Sequence, residues 1–136
     1  MDGKDFLDVS KRLCESDFEA DRRTSVSRAY YAFFNHVKSL LEGKRVQLPD
    51  GPEAHEKLRQ YLNNSGMKEA SNIAEELKGL RTKRNEADYN MKATRFDKNN
   101  CVLSYKRTVV WIHKFDTIDQ KSLIAGIKEY LAKIHG

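Results

Sequence analysis

The residues best suited to chemistry lie in one short segment, residues 80–89, with the sequence LRTKRNEADY. In a helix, Arg81, Arg84, Asn85 and Asp88 would be neighbours on one face, because they are spaced three or four residues apart. Guanidinium groups match phosphate oxygens in shape and charge, and a carboxylate beside them can orient them. This polar cluster is the best candidate in the chain for a working site.

Arg84 interrupts an otherwise apolar stripe along the same predicted helix. A guanidinium group on an apolar face is costly unless another group pairs with it, so Arg84 is expected to have a polar partner in the core or at an interface. We assign Arg81, Arg84, Asn85 and the more distant Arg28 to phosphate binding. The apolar members of the stripe are Ile73, Leu77, Leu80, Ala87 and Met91.

The elements that position these residues are all predicted to be helices. Turn-forming residues break the chain at four loops, and the segments between them have helical rather than alternating apolar periodicity. The predicted helices span about residues 5–15, 18–42, 52–62, 67–93, 100–115 and 118–134. Their short connections favour an antiparallel helical bundle of five to six helices, and the 136 residues correspond to a single domain, 1–136.

The second predicted helix combines aromatic residues with arginines. Tyr30 and Phe33 are expected in the core, because they recur at helical spacing among apolar residues. Arg22 and Arg23 are interpreted as a solvated helix end, although either could also meet a phosphate. Arg28 lies among residues expected to be buried, so we predict that it pairs with a carboxylate.

Composition excludes several classes of protein. No apolar stretch is long enough to span a bilayer, and the first residues lack the apolar core of a secretory signal, so a cytoplasmic protein is expected. A formal charge of +5 is compatible with an RNA or DNA partner. Cys14 and Cys101 are expected to be buried thiols rather than a disulfide or metal ligands.

The histidines do not indicate a metal site or a cofactor. None lies near another at a spacing that suits metal ligands, so no metal is predicted. His36 and His113 are interpreted as core residues of their helices. The four histidines are His36, His55, His113 and His135.

Two segments of the chain resemble the HEPN domains, small helical bundles that are common in bacterial toxin–antitoxin and defence systems. Residues 23–34, RTSVSRAYYAFF, are similar to the second helix of a subgroup with paired tyrosines. Residues 84–89, RNEADY, are similar to the short signature of that subgroup. The order of the predicted helices also agrees, so the resemblance covers nearly the whole chain.

The resemblance implies a homodimer and, for the nuclease members, cleavage of RNA without a metal. In such members an arginine and a histidine four to six residues after it meet at the dimer cleft. Counting from Arg84, those positions hold Tyr89, Asn90 and Met91, so the site lacks the usual histidine. Arg107 and His113 have the right spacing, but within one helix they point in different directions, and we interpret this pair as a coincidence.

Two functional hypotheses remain after this comparison. In the first, the chain is a metal-independent endoribonuclease in which Arg84 and Arg81 hold the phosphate, Asp88 orients, and Tyr89 takes the place of the histidine. In the second, it is a non-catalytic HEPN module that binds RNA such as tRNA, a nucleotide, or a protein partner such as a nucleotidyltransferase antitoxin. In that case Arg84, Asp88 and Arg28 form a structural network across the dimer. Fold alone does not choose between the two.

Overall fold

The computed structural model describes residues 3–135, and this part of the chain is helical without any strand. The all-α helical bundle predicted from the sequence is therefore confirmed. Five of the six predicted helices have boundaries close to those expected from their turn-forming residues. The helices are α1 Gly3–Leu13, α2 Glu19–Gly43, α3 Glu53–Asn63, α4 Lys68–Tyr89, α5 Lys98–Asp116 and α6 Gln120–His135.

The main core forms around α2, the longest helix, which packs against α1, α4 and α5. Phe33, Val37 and Leu41 are completely buried, since they recur every four residues on the face of α2 that meets the bundle. Tyr30 joins the same core, as the sequence predicted. Helix α4 lies between α2 and α3, so the polar segment at its end is fixed by two neighbours.

The apolar stripe on α4 is confirmed for four of its members and wrong for the last. Ile73, Leu77, Leu80 and Ala87 are buried, whereas Met91 is largely exposed. The reason is that α4 ends at Tyr89 and not at residue 93 as predicted. Beyond that point helical periodicity no longer determines which way a side chain faces.

Arg23 of α2 binds carbonyl groups at the end of α4 and in the turn that follows it. The Arg23 guanidinium donates hydrogen bonds to the backbone oxygens of Glu86, Ala87, Asn90 and Ala93 at 2.8–3.2 Å. Carbonyls at a helix end have no partner within the helix, and a cation there also interacts favourably with the helix dipole.

The prediction that Arg22 and Arg23 form a solvated helix end was wrong. Arg23 is only 6% exposed, and its guanidinium lies 4.6 Å from the ring centre of Phe96. Arg22 donates hydrogen bonds to the backbone oxygens of Phe96 and Ser16. Both arginines therefore hold α2 against the segment that follows α4.

The last helix packs on the turn after α3 through a glycine. A Cβ atom on Gly126 would lie 1.8 Å from the backbone oxygen of Ser65, so no larger residue fits without moving the backbone. The turn itself contains Gly66 at a φ of +82°, a conformation that glycine adopts easily. Residues 63–66 were predicted as a break, and the structure confirms it.

Two further findings concern membrane-spanning helices and the cysteines. Within residues 3–135, no helix combines the length and the apolar character needed to cross a membrane. Cys14 and Cys101 are both buried free thiols, as predicted. Burial raises the pKa of Cys101 to about 11, so this thiol remains protonated and unreactive near neutral pH.

Candidate arginine-rich anion site

The predicted site residues come together where α2, α3 and α4 meet. Helix α4 contributes Arg81, Arg84, Asn85, Asp88 and Tyr89, whose helical spacing places the first four near one another. Helix α2 contributes Ser27, Arg28 and Tyr31. We call the cations of this region, Arg28, Arg81 and Arg84, the arginine cluster.

Arg84 is held by neighbours from its own helix and from α2. Its Nε lies 3.0 Å from an Asp88 carboxylate oxygen, an ion-pair distance, although the N–H is not aligned for a hydrogen bond. The other two nitrogens donate hydrogen bonds to the Asn85 side-chain oxygen at 2.8 Å and to the Tyr31 hydroxyl at 2.6 Å. Ser27 donates a hydrogen bond to the same Asp88 carboxylate at 3.2 Å. Arg84 therefore has the polar partners that its place on an apolar stripe requires.

Arg28 differs from its prediction. We expected a carboxylate partner, but within residues 3–135 the Arg28 guanidinium has none and lies instead against two aromatic rings. The centres of the Phe6 and Tyr31 rings are each 5.3 Å from it. Its Nε–H is buried and has no hydrogen-bond acceptor. A cation–π contact balances part of the charge and leaves the N–H groups free to bind an anion.

Within residues 3–135, Arg81 is the second member of the arginine cluster without an acidic partner. It is half-buried, and its Nε–H is also buried without an acceptor. Such donors are uncommon in folded proteins, since an unmatched buried N–H costs free energy. Together, Arg28 and Arg81 give the region more positive charge than its carboxylates neutralise.

Tyr31 links the members of the cluster. Its ring lies between two guanidinium groups, with the carbon of Arg84 5.0 Å and that of Arg28 5.3 Å from the ring centre. Tyr89, by contrast, is 72% exposed and contacts the site only through its ring, 5.5 Å from the Arg84 guanidinium. An aromatic residue so exposed beside a cation is available to a ligand.

Sequence reasoning missed His55, which α3 brings to the same region. The His55 ring stacks on Phe34 at a distance of 4.1 Å between ring centres and accepts or donates a short hydrogen bond with the Tyr30 hydroxyl. Burial and the nearby charges of Arg81, Arg84, Lys38 and Arg59 lower the pKa of His55 to about 4. The ring is therefore neutral near pH 7.

A sequence signal for His55 did exist. His55, Leu58 and Leu62 lie at positions i, i+3 and i+7 of α3, so the histidine starts the buried stripe of that helix. That pattern shows that His55 faces inward. It does not show that α4 is the neighbour, because the contact joins segments far apart in the chain.

The other histidines do not form a site. His36 pairs with Asp116 at 2.6 Å, whereas His113 is exposed, so its prediction as a core residue was wrong. Arg107 donates two hydrogen bonds to Glu76 and does not approach His113. Within the described residues, no group of histidine, cysteine and acidic side chains is arranged to hold a metal ion.

Comparisons with known proteins leave the family open. No family model matches the chain, and searches of curated proteins and of solved structures also give no match.

Proposed function

We propose that this protein is an RNA-directed protein of the HEPN kind from a bacterial toxin–antitoxin or defence system, and that its arginine cluster binds an RNA phosphate. The observation that carries this proposal is the unmatched charge of Arg28 and Arg81. Each has a buried N–H without an acceptor, and neither has a carboxylate partner within residues 3–135. The terminal nitrogens of both arginines are not among the buried atoms, so a phosphate oxygen that accepts hydrogen bonds from them would balance the charge.

RNA is favoured over other anions by two further features. The chain has a formal charge of +5, which suits a polyanion better than a small carboxylate ligand. The exposed ring of Tyr89 lies beside Arg84, and exposed aromatic rings next to cations can stack with unpaired bases. The proposed ligand is therefore a single-stranded region, such as a tRNA loop.

The test measures binding of fluorescently labelled total tRNA to the wild type and to Arg81→Gln and Arg28→Gln. Each variant should bind tRNA more weakly, and the dependence of its affinity on salt concentration should decrease by the amount expected for about one phosphate contact. Arg12→Gln is the matched control, because Arg12 is an exposed arginine of α1 outside the site. If Arg12→Gln weakens binding as much as the two site variants, the arginine cluster is not the RNA site.

A second candidate function is metal-independent RNA cleavage at the same site. It is favoured by the Asp88 carboxylate, which lies 3.0 Å from Arg84 and accepts a hydrogen bond from Ser27. Arg81 and Arg84 would stabilise the charge that develops on the phosphate, and Asp88 would orient Arg84 or accept the proton of the attacking 2′-hydroxyl. Tyr89 occupies the position of the usual histidine.

Cleavage is tested by incubating the protein with total tRNA in EDTA, with wild type and Arg84→Ala compared. The enzyme should cut RNA in EDTA, and the variant should lose that activity while its circular dichroism spectrum stays helical. A folded wild type that binds tRNA and leaves it intact would identify a non-catalytic binding module.

The proposed assembly is a homodimer, as the resemblance implies, with a nucleotidyltransferase antitoxin as a further partner. Arg84 does not require a partner chain, since Asp88, Asn85 and Tyr31 of the same chain supply its partners. Sedimentation at micromolar concentration tests the dimer directly.

A further inference from the structure

We propose that His55 belongs to the phosphate site as a neutral donor, with its Nε2–H binding a phosphate oxygen beside Arg81 and Arg84. This inference rests on the proposed function, and it adds a ligand-binding residue from α3 to a site otherwise formed by α2 and α4.

The first step is the place of His55 next to the cluster. Its ring centre is 6.3 Å from the ring centre of Tyr31, in an edge-on arrangement. Tyr31 in turn accepts the hydrogen bond from Arg84 at 2.6 Å and contacts Arg28. The imidazole and the guanidinium groups thus surround one tyrosine.

The second step is the charge around the ring. Helix α2 presents Tyr30, Tyr31 and Lys38 to it, α4 presents Arg81 and Arg84, and α3 itself presents Arg59. All of the charged groups among these are cations. A protonated imidazole would add to their repulsion, so His55 remains neutral near pH 7.

The third step fixes which ring nitrogen bears the proton. The Tyr30 hydroxyl is buried, and burial raises its pKa, so it keeps its proton. Within the described residues, its hydrogen bond with His55 Nδ1 is the only one it makes. If Nδ1 carried the proton, the hydroxyl proton would be buried without an acceptor, which is costly. The hydroxyl therefore donates to Nδ1, and the single imidazole proton lies on Nε2.

The fourth step concerns what Nε2–H can bind. No hydrogen-bond partner of Nε2 is found in residues 3–135, and this atom is not among the buried polar atoms without a partner, so it is accessible to solvent. A neutral N–H donor surrounded by cations cannot attract a metal ion, and it suits an anion. Stacking on Phe34 and the bond to Tyr30 hold the ring in place before the ligand arrives.

The experiment has two readouts on full-length protein at pH 7.5. Long-range proton–nitrogen NMR of the histidine rings reports the tautomer, and titration with inorganic phosphate reports binding. We expect an Nε2–H ring for His55 and a shift of its Nε2 signal on addition of phosphate. A ring that is protonated, or that carries its proton on Nδ1, overturns the inference.

Two variants separate the role of the donor from that of packing. The amide nitrogen of glutamine reaches the position of Nε2, whereas that of asparagine lies near Nδ1. His55→Gln should therefore bind phosphate within about threefold of wild type, and His55→Asn should bind about tenfold more weakly. Helical circular dichroism and thermal melts confirm that both variants are folded.

The outcomes also separate this inference from the proposed function. If phosphate affinity falls in Arg81→Gln and is equal in both His55 variants, the phosphate site stands and the role of His55 is overturned. If phosphate does not bind while tRNA binding still depends on Arg81, the inference again fails and the RNA proposal stands. If tRNA binding is also independent of Arg81, both fail.

Discussion

The contact between Arg23 and the end of α4 allows a prediction whose size follows from the structure. Replacing Arg23 with methionine keeps an unbranched side chain and removes all of its donors. Four backbone carbonyls then lose a hydrogen bond, and those of Ala87 and Ala93 lose their partner, whereas those of Glu86 and Asn90 keep one from the backbone N–H of Asn90 and of Ala93. The free energy of unfolding should fall, because buried carbonyls without partners are costly.

The magnitude follows from counting the bonds. One terminal nitrogen of Arg23 donates to three of the four carbonyls, but it has only two N–H groups, so these three contacts count as about two full hydrogen bonds. The other terminal nitrogen adds one more, which makes about three in total. Charge-assisted bonds contribute about 1.5 kcal/mol each, and water replaces part of the loss at the more exposed residues. We expect Arg23→Met to lower the free energy of unfolding by about 3–4 kcal/mol, or Tm by about 10 °C.

Urea denaturation followed by circular dichroism measures this change. Arg12→Met serves as the matched control, since Arg12 is an exposed arginine of α1, and it should change stability by less than about 0.5 kcal/mol. Arg23→Lys keeps the charge with a single donor group, so its loss of stability should lie between those of Arg23→Met and Arg12→Met. If Arg23→Met and Arg12→Met differ by less than about 1 kcal/mol, the role assigned to Arg23 at the end of α4 is refuted.

Three further predictions concern the site and the last helix. The pKa of His55 is about 4 in the folded chain and about 6.5 when unfolded, so lowering the pH from 7 to 4 protonates the unfolded state first and reduces the free energy of unfolding. After allowance for the partial exposure of the ring, His55 should account for about 2 kcal/mol of this loss. Urea titrations at several pH values should show that this part of the pH dependence is missing in His55→Gln. Equal pH dependence in both proteins would contradict the neutral buried ring. Gly126→Ala should destabilise the fold by more than about 2 kcal/mol in thermal melts, because the new Cβ would meet the Ser65 backbone. Gly79→Ala is the matched control: a Cβ there has open space, so this change should stabilise the helix by about 0.5–1 kcal/mol. Arg81→Gln should raise Tm at low salt, because it removes the repulsion between Arg81 and the other cations of the arginine cluster, and salt should reduce this increase. An increase in Tm that is the same at 1 M salt would indicate a packing effect instead.

The helices were predictable because their signals are local. Apolar spacing and turn-forming residues place α2 and the start of α4 closely, and the same spacing brings Arg84 next to Asp88. The predicted burial of the apolar stripe on α4 was wrong only at Met91, which lies beyond the end of the helix.

The errors at Arg23 and Arg28 and the omission of His55 share one cause, which is that at least one partner of each residue is distant in the chain. Arg23 looks solvated from its own helix, since its acceptors lie more than sixty residues later. His55 looks like an ordinary residue of α3 until packing brings Tyr30 and the arginine cluster beside it. Arg28 was assigned a carboxylate because the sequence does not reveal that the rings of Phe6 and Tyr31 flank it.

The guanidinium of Arg23 also has a consequence for the order in which the site assembles. Its helix is synthesised well before the carbonyls that it binds, so the bond forms only after α2 and α4 have docked. The turn that it holds carries Asp88 and Tyr89. A growing chain on the ribosome therefore lacks this half of the site until residues beyond 93 have emerged, and the site is completed only after most of the chain has been made.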